Sequence, residues 1–477
     1  MGSRKVTFSE PLDWQGRHVT VAGLGVSGIP AAKVLHARGA NVTVVNDGDD
    51  ARAREQAAEL EALGITVRLG DGATLPEGTE LVVTAPGWKP DKPLFAAARA
   101  AGLEIWGDVE LAWRLRGPDA APWLAITGTN GKTTTTQMLA SILKAAGLRT
   151  AAVGNIGVSL LDAVLGDEQY DVLAVELSSY QLHWAPSLRA HSAAVLNLAP
   201  DHLDWHGSME AYAADKGRVY EGNRVACVYN VADKATEDLV RAADVEEGCR
   251  AVGFTLGTPG PSQLGVVEGI LVDRAFVEDR HKNAQELAEI SDVNPPAPHN
   301  IANALAAAAL ARAFGVPARA VRDGLRDFTP DAHRIAHVAD VDAVAYVDDS
   351  KATNTHAAEA SLAAYESIVW IAGGLAKGAT FDELVAKSAK RLRGVVLIGQ
   401  DRALIREALA RHAPEVPVVD LDRTDTGAML AAVQEASRLA VAGDTVLLAP
   451  ACASMDMFAN YNKRGDAFAE AVRELGS

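Results

Sequence analysis

The chain has 477 residues, of which 48% are hydrophobic, and it carries a formal net charge of −17. This length is more than one hydrophobic core usually supports, and it predicts about three domains. The acidic balance argues against a general binder of nucleic acid or of anionic membranes, although acidic proteins still bind phosphate groups locally.

The cysteines and the apolar runs indicate in which compartment of the cell we expect the protein. The three cysteines have no metal-ligand spacing and cannot all pair, which is typical of a reducing cytoplasm. We expect no signal peptide, because residues 1–10 have no apolar core. We also expect no membrane span, because the alanine-rich run at 301–314 is short and contains Arg312.

Short apolar runs alternate with segments of helical periodicity along most of the chain. The runs that predict strands lie at 18–22, 42–46, 80–84, 123–127, 171–175, 193–198, 224–229, 344–348, 368–372, 395–398 and 445–448. The segments that predict helices lie at 29–37, 109–115, 134–146, 209–220, 299–314 and 458–475. Residues 250–298 are instead rich in turn residues, so we expect a small hairpin and a mobile loop there.

Links that contain proline, near 117–122 and 329–331, predict two domain boundaries. The three domains would then span 1–118, 119–329 and 330–477. Because strands alternate with helices, we expect α/β domains with parallel sheets. The first and last would be Rossmann-like, and the central one would be a P-loop ATPase-type sheet.

The turn after the first predicted strand carries Gly23, Gly25 and Gly28, and Asp47 follows the second strand. This spacing matches the dinucleotide fingerprint. The same turn can hold the pyrophosphate of a nucleotide sugar, so the pattern leaves both a nicotinamide domain and a sugar-nucleotide domain open. The loop at Gly87, after another strand, is either a ligand loop or a plain turn.

A second glycine-rich turn follows the run at 123–127 and carries Gly128, Gly131, Lys132 and Thr133. The glycines allow the backbone to approach anionic oxygens, and the lysine and threonine suit phosphates and Mg²⁺. An ordinary strand-to-helix connection is the alternative. The apolar run before the turn and the helical spacing after it favour a P-loop.

Three polar residues downstream have both a functional and a structural interpretation. Glu176 ends a predicted strand, where a carboxylate can hold Mg²⁺ or cap a helix. His202 lies in a turn beside Asp201 and Asp204 and is a metal or phosphate contact or a structural histidine. By composition alone, Lys216 is a solvated surface lysine.

Further polar groups follow in the last third of the chain. Asn300 and Asn303 lie on one face of a predicted helix. Arg334 follows a proline-containing link, where a cation can approach the γ-phosphate of a nucleotide. The string DSKATN at 349–354 is either a binding loop or a capped helix start.

Eight motifs together resemble one family. They are GTNGKTTT at 128–135, GNIG at 154–157, ELSSYQL at 176–182, DHLDWHG at 201–207, HNIANALAA at 299–307, HR at 333–334, DDSKATN at 348–354 and ACASMDMF at 451–458. In this order they resemble the Mur ligases of peptidoglycan synthesis over nearly the whole chain. The DSKATN and ACASMDMF strings are similar to those of the members that add D-glutamate.

The resemblance implies an ATP-dependent ligase that joins D-glutamate to UDP-N-acetylmuramoyl-L-alanine through an acyl phosphate, in the cytoplasm and as a monomer. It implies ATP contacts from Gly128, Thr129, Asn130, Gly131, Lys132, Thr133, Thr134, Asn300, Asn303, Arg334 and Asp349. It implies two Mg²⁺ ions held by Thr133, Glu176, His202 and a carbamylated Lys216. The catalytic set would be Lys132, Glu176, His202 and Lys216.

Substrate contacts are implied in the outer two domains and beside the P-loop. They are Val26, Ser27, Gly87, Asn155, His202, Lys351, Thr353, Lys377, Ser454 and Tyr461. Three alternatives remain: a related ligase with another acceptor, such as folylpolyglutamate synthetase; a nicotinamide oxidoreductase that uses the Gly23–Gly28 turn; and a P-loop binding module that forms no bond.

Overall fold

The computed structural model describes residues 13–423, 425 and 427–475. Three sheets with flanking helices form two compact units. The first unit, which runs to residue 292 and includes 302–327, contains two sheets, and the second unit, 293–301 and from 328 onwards, contains the third. The prediction of three α/β domains is confirmed, whereas the exact boundaries at 118/119 and 329/330 stay a prediction.

Five parallel strands form the first sheet in the order β3-β2-β1-β4-β5. The strands are β1 (His18–Ala22), β2 (Asn41–Asn46), β3 (Thr66–Leu69), β4 (Leu81–Thr84) and β5 (Glu104–Gly107). Their helices are α1 (Gly28–Ala37), α2 (Ala51–Glu61), α3 (Pro93–Ala100) and α4 (Asp108–Leu115). The strand order reverses between β1 and β4, where open α/β sheets usually bind ligands. The turns with Gly23 and Gly87 follow these two strands.

Nine strands form the second sheet in the order β14-β13-β12-β11-β10-β9-β6-β8-β7. They are β6 (Trp123–Thr127), β7 (Ala152–Gly154), β8 (Leu173–Glu176), β9 (Ser192–Val195), β10 (Ala226–Asn230), β11 (Arg250–Phe254), β12 (Gln263–Val267), β13 (Ile270–Asp273) and β14 (Gln285–Glu289). Strands β6, β8 and β9 are buried at every position, as in the middle of a parallel sheet. The glycine-rich turn after β6 therefore lies in the middle of the sheet, between the ends of β8 and β9.

Eight helices accompany the second sheet in the described part of the chain. They are α5 (Lys132–Ala145), α6 (Leu160–Leu165), α7 (Ser179–His183), α8 (Leu203–His206), α9 (Met209–Gly217), α10 (Lys234–Ala242), α11 (Pro298–Ala313) and α12 (Ala318–Asp327). None of the helices among the described residues is long and apolar enough to cross a membrane.

The segment at 250–298 contains more structure than the sequence indicates. Its hairpin is confirmed, because β12 and β13 pair antiparallel. The expected mobile loop is wrong in part, since β11 pairs parallel with β10 and β14 pairs antiparallel with β13. Strand β14 reads as polar and only two of its five positions are buried, so its sequence gave little apolar signal.

Six strands form the third sheet in the order β15-β16-β20-β17-β18-β19, parallel except for the β15–β16 pair. They are β15 (Ala336–Val341), β16 (Val344–Asp348), β17 (Ile368–Gly373), β18 (Leu392–Ile398), β19 (Val418–Asp420) and β20 (Thr445–Leu448). The helices are α13 (Thr355–Leu362), α14 (Asp382–Ser388), α15 (Arg402–His412), α16 (Ala428–Leu439) and α17 (Tyr461–Leu475).

Candidate active site

The turn between β6 and α5 has the backbone of an anion-binding loop. Gly131 has φ of 83°, a conformation that favours glycine, and a Cβ there would collide with the Asn303 side chain. The Lys132 ammonium donates to the carbonyl oxygens of Gly128 and Thr129 at 2.9 and 2.8 Å. The lysine therefore lies over the turn, where a phosphate would sit against the N-terminus of α5.

Helix α9 and the segment after β9 hold this turn in place. The hydroxyls of Thr129 and Tyr212 are 2.9 Å apart, and the backbone N–H of Asn130 donates to Asn197 Oδ1 at 2.8 Å. These contacts fix the shape of the turn, and a turn that is held in one shape loses less entropy on binding.

Lys216, on α9, lies against the same turn. Its side chain is buried, with 1% of the residue exposed, and its Nζ donates to the Gly128 carbonyl at 2.8 Å. Burial, and then the nearby charge of Lys132, lowers the pKa of Lys216 well below its ordinary value. The expectation of a surface lysine from composition is therefore wrong, and Lys216 belongs to the P-loop surroundings.

Glu176 ends β8 and is buried beside this loop. Its Oε1 accepts a hydrogen bond from Asn155 Nδ2 at 2.9 Å, while its buried Oε2 has no hydrogen-bond partner among the described residues. An orphaned buried carboxylate oxygen is costly, and a cation would satisfy it. The Glu176 carboxylate therefore suits the role of a Mg²⁺ ligand.

His202 shares these surroundings. Its ring lies 4.9 Å from the ring of Tyr180, and its Nε2 is 3.5 Å from Asp201 Oδ2. Burial lowers the pKa of His202, and the charges of Lys132 and Lys216 act in the same direction, whereas Asp201 opposes them. A histidine that stays neutral is the form that binds metal.

These residues do not form a conventional metal cluster. Across the described ranges, no group of three or more His, Cys, Asp or Glu side chains could hold a metal ion. The metal ligands that the sequence resemblance implies are instead Glu176 and His202 together with Thr133 and Lys216. Thr133 is half-buried and Thr134 is buried in the first turn of α5. A carbamate on Lys216 would add a second anionic oxygen ligand to that of Glu176.

A cleft of about 420 Å³ lies beside Glu176 in the first unit. Three residues expected to contact the nucleotide-sugar substrate, Val26, Ser27 and Asn155, line it. Gly87 is not among its lining residues, although its neighbour Pro86 is, and the Gly87 carbonyl accepts a hydrogen bond from the Trp205 indole at 3.1 Å.

The same cleft contains a residue that the sequence did not point to. Asp108 Oδ2 accepts hydrogen bonds from Ser27 Oγ at 3.0 Å and from Gln181 Nε2 at 3.4 Å. Burial raises the pKa of Asp108, against the effect of these bonds. Asp108 begins α4 directly after β5, a strand that the apolar pattern did not reveal, so no signal placed it at a strand end.

The two asparagines expected near the adenine lie at the start of α11. Both are buried, and Asn303 approaches Gly131 of the P-loop turn. Asn300 belongs to the second compact unit, and its Nδ2 donates to the Pro295 carbonyl at 3.2 Å.

In the second unit, one buried arginine joins two segments that also carry expected D-glutamate residues. Arg464 is 1% exposed, and it donates to the Ser350 hydroxyl and carbonyl at 3.0 and 2.8 Å and to the Cys452 carbonyl at 3.0 Å. Its pKa is lowered to about 10 by burial. The ammonium of Lys351 lies 3.9 Å from the centre of the Tyr461 ring. Arg464 was not identified from the sequence, where it is one of many basic residues in a helix.

Asp349 and Arg334, both expected near ATP, also lie close together. Burial raises the pKa of Asp349 to about 6, against the opposing effects of a hydrogen bond from Ser361 and of the Arg334 charge. The preceding pair is tighter: His333 Nδ1 lies 2.6 Å from Asp348 Oδ2, and this bond raises the pKa of His333.

The other expected D-glutamate contacts differ in exposure. Ser454 is buried, Thr353 is half-buried, and Lys377 is exposed with a φ of 50°. The backbone carbonyl of Tyr461 accepts a hydrogen bond from Ser350 Oγ at 2.7 Å.

Comparison with known proteins agrees with this architecture. Residues 126–311 match the Mur ligase middle domain, and residues 333–452 match the Mur ligase, glutamate ligase domain. Residues 18–84 match the pyridine nucleotide-disulphide oxidoreductase family, which reflects the Rossmann-like first sheet. The three α/β domains with these two matches define the class as a Mur ligase.

Sequence relatives narrow the class further. The chain is 90% identical over 465 residues to a UDP-N-acetylmuramoylalanine–D-glutamate ligase of Streptomyces avermitilis, covering 98% of this chain and 100% of the relative. It is 59% identical to the enzyme of the same name from Thermobifida fusca, covering 97% and 100%. The chain belongs to the family of UDP-N-acetylmuramoylalanine–D-glutamate ligases.

Solved structures share the fold at low identity. MurF ligase from Thermotoga maritima in complex with ADP is 15% identical, with a TM-score of 0.56 and coverage of 96% of both chains. A pseudomurein peptide ligase type C from Methanothermus fervidus is 17% identical, with a TM-score of 0.56, covering 96% of this chain and 100% of the other.

Proposed function

We propose that this chain uses ATP to join D-glutamate to UDP-N-acetylmuramoyl-L-alanine. The observation that carries the proposal is the buried arrangement around the turn after β6. There, Lys132 and Lys216 lie against the Gly128 carbonyl. Relatives at 90% and 59% identity carry the name of this activity.

The reaction would proceed in two displacements. A carboxylate oxygen of the nucleotide-sugar substrate attacks the γ-phosphorus of ATP, the bond to the bridging oxygen breaks, and ADP leaves. The amine of D-glutamate then attacks the acyl carbon and loses a proton, and phosphate leaves with the electrons of the carbon–oxygen bond. Lys132 and the backbone N–H groups at the start of α5 would hold the phosphates in line.

Two Mg²⁺ ions, held by Thr133, Glu176, His202 and a carbamylated Lys216, would offset the charge of the phosphates when bound. The orphaned Oε2 of Glu176 supports this assignment, as does the burial of Lys216, which lowers the pKa of that lysine. Asn155, by donating to Oε1, fixes the direction in which the Glu176 carboxylate points.

The remaining roles follow from the same proposal. The first sheet would hold the nucleotide sugar through Val26, Ser27 and the Gly87 loop, and Asn300, Asn303, Arg334 and Asp349 would contact ATP. The D-glutamate carboxylates would meet Lys351, Thr353, Lys377, Ser454 and the backbone near Tyr461. We further propose that the enzyme is a cytoplasmic monomer that binds neither nucleic acid nor membrane, and sedimentation in dilute solution tests its oligomeric state.

The deciding assay measures phosphate release from ATP with UDP-N-acetylmuramoyl-L-alanine present. D-glutamate, L-glutamate, L-lysine and no amino acid are compared. We expect release only with D-glutamate. Release with L-lysine would indicate a ligase with another acceptor, and release without any amino acid would indicate an uncoupled ATPase.

A nicotinamide oxidoreductase is the second candidate, because residues 18–84 match a family of that class. The match covers only the first sheet, and it leaves the P-loop turn and the second compact unit without a role. A substrate-dependent change in NADH absorbance would favour it.

A further inference from the structure

A chain of hydrogen bonds joins four polar side chains beside the P-loop turn. Ser179 Oγ lies 3.0 Å from His206 Nε2, and His206 Nδ1 lies 2.9 Å from Asp215 Oδ2. His183 Nδ1 approaches the same carboxylate at 2.9 Å. We call Ser179, His183, His206 and Asp215 the Asp215 network.

The network is almost completely removed from water. The His206 side chain has no exposed surface, the Asp215 side chain is 8% exposed, and Ser179 is buried. His183 lies at its edge, with 23% of its side chain exposed. Buried polar groups that are all paired in this way hold one arrangement rigidly, because any movement leaves a group without its partner.

Three of the four members lie within four residues of an expected metal-binding residue. Ser179 opens α7, three residues after Glu176, and Asp215 directly precedes Lys216 on α9. His206 ends α8, the short helix that His202 begins. The network therefore joins the three segments that carry these ligands.

Aromatic packing adds a second link to His202. The Tyr180 ring stacks on His206 with a centroid separation of 5.6 Å, and its centroid lies 4.9 Å from that of His202. The two histidines are thus held through one aromatic ring as well as through the backbone of α8.

We propose that the Asp215 network positions Glu176, His202 and Lys216 for metal binding, so that its members act as positioning residues rather than ligands. This inference rests on the proposed function for the identity of the ligands. Loss of a group that hydrogen-bonds directly to a metal ligand typically weakens metal affinity about 10- to 100-fold. The Asp215 network acts on the ligands through the backbone and the Tyr180 ring, so we expect losses that start at the lower end of this range.

The test breaks the Ser179–His206 contact from both sides. Ser179→Ala removes the hydroxyl, and His206→Asn keeps a donor for Asp215 but cannot reach Ser179. Mn²⁺ serves as the probe, and its binding to the full chain with ADP present is measured by electron paramagnetic resonance. We expect each variant to bind Mn²⁺ about tenfold or more weakly. The double variant should lose little more than the single ones, because both remove the same contact.

Ser187→Ala is the matched control. It deletes another hydroxyl in the same unit, which bonds to Glu110, away from the network. We expect unchanged Mn²⁺ affinity in this variant. Thermal unfolding of the metal-free proteins identifies any variant that has lost its fold.

Two outcomes would overturn the proposal: folded Ser179→Ala and His206→Asn variants with wild-type Mn²⁺ affinity, or additive losses in the double variant. Wild-type protein that binds no Mn²⁺ in the presence of ADP would remove the metal site and the positioning role together. Failure of the proposed reaction is separate, because it appears as wild-type protein that binds Mn²⁺ but releases no phosphate with D-glutamate.

Discussion

Lys216 is a buried side chain on which both the expected carbamate and the rate of phosphate release should depend. Lys216 is 1% exposed, and burial and the charge of Lys132 lower its pKa, which favours the neutral amine, the form that adds carbon dioxide. We predict a carbamate carbon signal in the NMR spectrum of protein equilibrated with ¹³C-bicarbonate, absent in Lys216→Met. Phosphate release by Lys216→Met should fall by more than about 100-fold. About 100-fold is the upper range for losing a group that only hydrogen-bonds to a metal ligand, and losing a ligand should cost more.

Lys234→Met provides the control for that prediction. This lysine lies on α10 in the same unit, with 79% of its side chain exposed, and among the described residues its ion pair is with Asp238. Exposed pairs of this kind contribute little. Its replacement should leave both the carbamate signal and the rate unchanged. A carbamate signal that persists in Lys216→Met would place the modification elsewhere.

At the scale of elements, helix α5 offers a matched pair of glycines. Gly131 precedes the helix with φ of 83°, and Gly147 follows its end with φ of 80°. A Cβ at Gly131 would collide with Asn303, whereas a Cβ at Gly147 meets nothing within 4 Å. Both alanine variants should lose about 1–2 kcal/mol of stability, because both place an L-residue in the left-handed region.

Only Gly131→Ala should also change nucleotide binding. The collision forces either the Asn303 side chain or the turn that carries Lys132 to move, and both are expected to contact ATP. A displacement that costs 1.4 kcal/mol weakens binding about tenfold. Calorimetric titration with ADP measures this. Equal ADP affinity in the Gly131→Ala and Gly147→Ala variants would mean that the turn does not contact the nucleotide.

Elements with an uninterrupted apolar run were predictable from the sequence. The strands at 18–22, 344–348 and 445–448 match β1, β16 and β20 at both ends. Strands with few buried positions were not predicted, because a half-exposed edge strand such as β14 needs no apolar run. Strand β14 forms because it pairs with β13 of the neighbouring hairpin, and the local sequence does not encode this pairing.

At the scale of the whole molecule, residues that lie in a contiguous sequence motif differ from residues whose contacts come from other parts of the chain. Glu176 and His202 could be proposed as site residues because each lies in a contiguous motif that follows or ends a strand. Asp215 and Arg464 could not, because their partners His183 and Ser350 lie 32 and 114 residues away and their own helices look ordinary. Contacts across such sequence separations arise only when the sheets assemble.

The stability of the whole chain should depend on pH through Asp349. Burial raises its pKa from 3.8 to about 6, so the folded protein binds a proton more tightly than the unfolded chain. The contribution of Asp349 to stability is therefore present below about pH 4 and is lost as the pH rises through 6. The loss amounts to about 3 kcal/mol, at 1.36 kcal/mol for each pKa unit.

Asp349→Asn imitates the protonated carboxyl and should escape this loss. Relative to wild type, its stability should rise by about 3 kcal/mol between pH 3 and pH 7. Amide exchange in β16, which ends just before Asp349, reports this sheet separately from the others. Asp382→Asn gives the opposite sign, because Arg411 and His412 lower the pKa of this exposed carboxyl. If exchange in β16 of Asp349→Asn followed wild type at every pH, the Asp349 carboxyl would have an ordinary pKa. Its buried charge would then be balanced by Arg334 and Ser361.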